Sequence, residues 1–200
     1  MEKEKSLDTR PRIYLAGKIT NNSWRSAISV SRETPRINGY MRIDCEDITD
    51  YIASDYYYDG EYETNKYIIT GPHALSCDHG CFHFRAHHGA ASKDGGNIEC
   101  EDKVITTADV LSACTHQIDK SDYIFAYIDS LDAYGTLTEI GYAYNCRKRC
   151  EDKHIFILFK NQKIANQLWF AKEMADWSWV QSTDDDIEEI RKAFNEMLTY

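Results

Sequence analysis

The sequence predicts a three-layer α/β sandwich built on a mostly parallel sheet. Three observations carry that expectation. Short apolar runs alternate with segments of helical spacing, which is the order of a parallel sheet covered by its own crossover helices. Two of the runs, Tyr123-Ile-Phe-Ala-Tyr-Ile128 and His154-Ile-Phe-Ile-Leu-Phe159, are apolar at nearly every position, as strands buried on both faces are. The 200 residues, 42% hydrophobic, suffice for one sizeable core.

In chain order, Ile13-Tyr-Leu-Ala16 follows Pro11 and ends at Gly17, which reads as a short buried strand entering a glycine turn. A helix is expected from near Ser23. From about 33 to 102 the pattern is irregular: tyrosines from Tyr51 to Tyr67, one strand at Tyr67-Ile-Ile-Thr70, and a Gly/His/Cys-rich stretch from Gly71 to Gly96. A long stretch of this kind within one domain is usually functional or disordered. Val110, Leu111, Cys114 and Ile118 then have helical spacing, and Ser121-Asp122 introduces the strand Tyr123–Ile128. Asp129 to Tyr134 read as a polar loop, Gly135 to Arg147 as a helix, and His154–Phe159 as a strand. Ile164 to Ala175 and Asp184 to Leu198 read as two more helices, with Trp169, Trp177 and Trp179 as packing or interface residues of that helical region. The expectation is therefore one domain over 1–200, with an irregular insertion at about 33–102.

Composition narrows the function. A formal net charge of −10 repels polyanions, so neither polymeric nucleic acid nor an anionic membrane surface is expected as a partner. No apolar run approaches the roughly 20 residues of a membrane span. The Met1–Arg10 segment is charged and polar, and the seven cysteines are odd in number and dispersed. Reduced thiols in the cytoplasm are the expectation that follows.

The most informative stretch is Asp129 to Tyr144. It lies where a strand ends and a helix begins, so its residues face the crevice where parallel α/β sheets hold ligands. Gly135 and Thr136 suit a tight turn that starts a helix. Glu139 is expected in the first turn or so, where free backbone N–H groups favour its ionised form. An ionised carboxylate facing an anomeric carbon is what retaining glycosyl transfer needs; the same carboxylate could equally serve only the helix dipole.

Three blocks together resemble the nucleoside 2-deoxyribosyltransferase superfamily, which includes nucleotide N-glycosidases: Ile13-Tyr-Leu-Ala-Gly17, Ile118 to Asp129, and Tyr134-Gly-Thr-Leu-Thr-Glu-Ile-Gly-Tyr-Ala143. They occur in the family's order and fall in the sheet-forming parts of the chain, which make up about half of it. The resemblance implies a flavodoxin-like, Rossmann-like sheet and a homodimer or higher homo-oligomer without a cofactor. It implies cleavage or transfer of the N-glycosidic bond of a small nucleoside or nucleoside 5'-monophosphate, with Glu139 as nucleophile. Asp132 matches the family's sugar-site aspartate, one residue further from the glutamate than in many members. Where many members carry an acidic residue eight positions before the aspartate here at Asp122, this chain has Cys114. A nucleotide-binding sensor on the same fold, without turnover, is the alternative.

The turn after the first strand supplies the remaining candidates. Gly17 lets a ligand approach the backbone, and Lys18 and Arg25 are placed to bond a 5'-phosphate, although both also read as solvated surface cations. Tyr14 and Trp24 flank the same turn and are substrate-binding candidates with Gly135 and Thr136. The stretch from Gly71 to Gly89 holds five of the seven histidines and two cysteines. Cys77, His79, Cys81, His83, His87 and His88 are chemically able to bind zinc, but their spacing is not that of a common finger. A loop closing over substrate, with His79 or His83 as general acid to the departing base, is preferred, and no metal is assigned. A His-rich surface loop is the plainest alternative.

Overall fold

Among the described residues, the apolar runs form the centre of a six-stranded sheet. The computed structural model describes residues 9–18, 24–25, 28, 62–72, 98–100, 103–105, 107–149 and 152–200. The sheet strands are β1 (Arg12–Gly17), β2 (Tyr62–Glu63), β3 (Ile68–Gly71), β6 (Tyr123–Ile128), β7 (His154–Phe159) and β8 (Trp177–Val180), in the order β2-β3-β1-β6-β7-β8. The pairs β1/β3, β1/β6, β6/β7 and β7/β8 are parallel, and β2 joins antiparallel at the edge. Taken in chain order, the five parallel strands lie 2-1-3-4-5, the flavodoxin-like winding. A separate hairpin pairs β4 (Ile98–Cys100) with β5 (Lys103–Ile105).

β1, β6 and β7 share one burial pattern, a half-covered first residue followed by five buried ones. Both faces of each strand are covered, which is why the sequence shows runs and not alternation. Alternation survives as a division of the two faces. Ile13, Leu15, Phe125, Tyr127, Phe156 and Leu158 point to α5 (Asp186–Met197), meeting Ile190, Ala193, Phe194 and Met197. Tyr14, Ala16, Ile124, Ala126, Ile155 and Ile157 point to the other face, with Ile118 of α1 (Thr107–Asp119) and Ile140 and Ala143 of α2 (Tyr134–Arg149). Asp122 fastens the strand starts: Arg12 N donates to Asp122 Oδ2 at 2.8 Å, and His154 N donates to the Asp122 carbonyl at 2.8 Å.

Two expectations change at the C-terminal end. The helix expected over Ile164–Ala175 is two short ones, α3 (Gln162–Gln167) and α4 (Trp169–Met174), broken at Leu168, whose φ of −100° and ψ of 35° leave the helical region. Trp177 and Trp179 are in strand β8, not in a helix. Trp-Ser-Trp-Val alternates large β-prone side chains with period two, and Trp179 stacks on Phe156 of the neighbouring strand at 6.0 Å. Tyr200 packs its ring on His154 and Phe156, at the amino-terminal edge of β7. Among the described residues, no helix is long and apolar enough to cross a membrane.

The winding direction reverses between β1 and β6. β1 leads outward to β3, and β6 leads the other way to β7 and β8, so the crevice at the carboxyl ends of β1 and β6 is the topological switch point.

Candidate active site at the switch point

Tyr14 and Glu139 meet at that crevice. Tyr14 alternates to the α1/α2 face of β1, and the rise of α2 brings Glu139 over it, so that Tyr14 Oη donates to Glu139 Oε1 at 2.5 Å. The two residues are separated by 125 positions and joined only by the fold. Glu139 is half-buried as a residue while its carboxyl group is drawn inside. Burial pushes that carboxyl up from 4.5 to about 7, against the opposing pulls of the Tyr14 hydroxyl and the Arg25 charge. Tyr14 is fully buried, and its phenol lies well above the ordinary 10.0, first through burial and then through Cys114 and Glu139.

This corrects the sequence expectation for Glu139. It is the sixth residue of α2, whose first turn contains no acidic residue. The free N–H groups of the helix start therefore do not set its charge; desolvation raises it, and a phenol and a guanidinium steady it. Gly135 and Thr136 are likewise inside α2 and form no turn. A side chain at Gly135 would meet nothing within 4 Å, whereas Thr136 is buried, 4% exposed.

Arg25 also has a different place from either reading of the sequence. Its residue is fully buried, with Nε donating to the Leu15 carbonyl at 2.9 Å, Nη1 to that of Lys18 at 3.0 Å and Nη2 to that of Gly17 at 2.6 Å. Its guanidinium also lies 4.7 Å from the centre of the Trp24 ring. Arg25 is thus a brace that shapes the end of β1 and sends a positive field toward Glu139, not a solvated cation or a surface phosphate ligand. Gly17 is required there: its φ is +155°, and a Cβ would stand 3.0 Å from the Trp24 ring and 3.0 Å from the Tyr127 carbonyl oxygen. Trp24 packs beneath the turn against Phe125 and Tyr127, as a wall of the core.

Lys18 and Asp132 pair just beyond the strand ends. Lys18 Nζ bonds Asp132 Oδ1 at 2.5 Å, with side chains 32% and 64% exposed, and so bridges the end of β1 to the loop between β6 and α2. Lys18 and then Ser130 hold the Asp132 carboxyl below its ordinary value. Solvent screens so exposed a pair, which makes it a gatepost and not a structural clamp.

Cys114 is the participant that sequence reasoning noticed only as a missing acid. It comes from α1 to the Tyr14 hydroxyl and into the field of Glu139, and burial pushes its thiol from 9.0 up to about 12. Its helical spacing with Ile118 was the available signal. The thiol is protonated at neutral pH, so Cys114 adds no charge beside Glu139.

The end of β7 supplies no member of this cluster. Its next residue, Lys160, pairs with Asp186 at 2.8 Å. A depression open to solvent lies between β8 and α5 and includes Trp179, Ser182, Glu189 and Glu196. Its carboxylates are already bonded, Glu189 to Ser182 and Glu196 to Trp179. His79 and His83, with the whole Cys77–His88 stretch and Tyr51 to Tyr58, lie outside the described residues. Among the described residues, no group of three or more His, Cys, Asp or Glu side chains is arranged to hold a metal ion.

In chemical terms the site offers one desolvated carboxylate near its titration point, aimed by a phenol, at the sheet end where the Gly17 turn and the Lys18–Asp132 pair also lie. No family model, no curated protein and no solved structure matches the chain.

Proposed function

We propose that the protein cleaves or transfers the N-glycosidic bond of a nucleoside or nucleoside 5'-monophosphate through a covalent glycosyl–Glu139 intermediate. The single observation that carries this reading is the 2.5 Å bond from Tyr14 to a buried carboxylate at the switch point of the sheet. A carboxylate that burial makes reluctant to hold charge is a stronger nucleophile toward an anomeric carbon than one solvated by water. Tyr14 fixes one oxygen, leaving the other to attack C1'. As the C1'–N bond breaks, the sugar acquires oxocarbenium character that the same carboxylate stabilises. Water attacking the ester gives hydrolysis, and a second base gives transfer.

The Lys18–Asp132 pair suits the rest of such a substrate. A 5'-phosphate reaching the Gly17 turn would draw Lys18 away from Asp132, freeing the aspartate for a sugar hydroxyl. Partners are then small nucleosides or nucleotides, and a homo-oligomer and a cytoplasmic setting belong to the same proposal.

The test is incubation of the wild type and Glu139→Ala with ribo- and deoxyribonucleosides and their 5'-monophosphates, with chromatography for free base. Base released by the wild type alone supports the reading. A tight complex with no base released, even when an acceptor base is offered, overturns it in favour of a nucleotide sensor, the reading that the protonated Cys114 would favour.

A further inference from the structure

The groups around Glu139 restrict which base can leave. Departure of a neutral purine or pyrimidine is eased by a proton delivered to the base, and a matched general acid contributes about 10²–10⁴-fold to such a step. Among the described residues, the side chains gathered around the carboxylate are a phenol, a thiol and a guanidinium, from Tyr14, Cys114 and Arg25. None of the three is an acid suited to give up a proton near pH 7. Among the described residues of α1, it is Cys114 that reaches Tyr14, and Tyr14 already directs its proton to Glu139. The Glu139 carboxylate is desolvated, and a ligand bringing its own positive charge next to it would recover part of that cost.

We propose that the preferred substrate is a cationic N-glycoside, in which the ring nitrogen bonded to C1' is already quaternary, as in an N-ribosylpyridinium nucleoside or its 5'-phosphate. This rests on the N-glycosidic reading above and names the substrate class of that site. Glu139 Oε forms a bond to C1' as the C1'–N bond breaks. The electron pair of that bond passes to the ring nitrogen and cancels its positive charge, so a neutral pyridine leaves and no proton is needed. Water then attacks C1', its oxygen bonds to the sugar, the Glu139–C1' bond breaks to return the carboxylate, and the water's proton passes to solvent. The positive charge also lowers the proton affinity of Glu139, so the substrate ionises its own nucleophile as it binds.

The experiment compares base release from nicotinamide riboside and its 5'-monophosphate with release from uridine, inosine and adenosine and their 5'-monophosphates. It uses the wild type, Glu139→Ala as the zero, and Cys114→Asp. The expected result is a kcat/KM at least 100-fold higher for the pyridinium compounds. In Cys114→Asp, the added carboxyl should raise neutral-base release and narrow that preference at least tenfold. The wild type alone supplies a second readout that does not depend on the variant folding: on the pyridinium substrate, activity rises as Glu139 ionises and then stays level at higher pH, with no falling limb from a required acid. Glu139-dependent release of neutral bases at equal or greater kcat/KM overturns this inference and leaves the N-glycosidic reading standing. A falling limb on the pyridinium substrate overturns it too. No release from either set overturns both.

Discussion

Glu139→Gln gives a stability measurement that is independent of any substrate. Burial holds the Glu139 carboxyl at about 7 in the folded chain against an ordinary 4.5. A carboxyl raised on folding favours the folded state most below pH 4.5, where it is protonated in both states. That advantage is lost as pH climbs through about 7, because the unfolded chain ionises first and the folded chain must later charge a buried group. A raise of this size corresponds to about 3 kcal/mol. Glutamine keeps the shape and the acceptor for Tyr14 but cannot ionise, so its stability lacks this slope. Urea denaturation of both proteins from about pH 4 to pH 8 should show the wild type losing about 3 kcal/mol relative to Glu139→Gln across that range. Taking the difference cancels every other titrating group and any constant cost of burying the amide. Parallel stability curves would refute the claim that the carboxylate is desolvated, and with it the basis for its proposed role as nucleophile.

Three further outcomes follow from the same geometry. Tyr14→Phe removes the hydroxyl that helps hold Glu139 ionised, and a hydrogen bond to a charged group is worth about 1.5–3 kcal/mol, so the Glu139 titration should move up by about one to two pH units. Carboxyl-carbon NMR of labelled protein reads that shift, and an unmoved titration would show that the bond does not act on the carboxylate. Arg25→Met leaves the carbonyls of Leu15, Gly17 and Lys18 without their charged donor and should cost about 2–4 kcal/mol in chemical denaturation; wild-type stability would mean that Arg25 is not the brace of the turn. Gly17→Ala forces a side chain into positive φ against Trp24 and the Tyr127 carbonyl and should lower stability by about 1–3 kcal/mol, visible as a reduced Tm. An unchanged Tm would mean that the turn has room that the geometry denies it.

Much of the architecture was readable because burial on two faces leaves a local trace. Tyr123–Ile128 and His154–Phe159 are continuous apolar runs in sequence and central strands in space, with the same bounds. The strand at β8 was not readable in the same way. Four residues at a sheet edge bury too little to overrule the helix-like composition around them, and their strand geometry depends on pairing with β7. Within the site, Glu139 was legible from its place after a strand end, yet its electrostatics were not. Distance along a helix says whether free amides are near; it does not say whether a phenol from a strand 125 residues away lies overhead.

The two cations of the first turn show the same limit. Lys18 and Arg25 are equivalent in a linear text, both positive and both after Gly17. In space one is a half-exposed gatepost paired with Asp132, and the other is a buried brace holding three carbonyls. The sequence by itself determined the class of the sheet and its central strands, because periodicity and run length are local consequences of burial, whereas Glu139 stood out through the motif resemblance. Only the tertiary structure decided the strand order, the meeting of Tyr14, Cys114 and Glu139, and the high proton affinity of that carboxylate. Desolvation and hydrogen bonding depend on what is brought near in three dimensions, and no spacing along the chain encodes that.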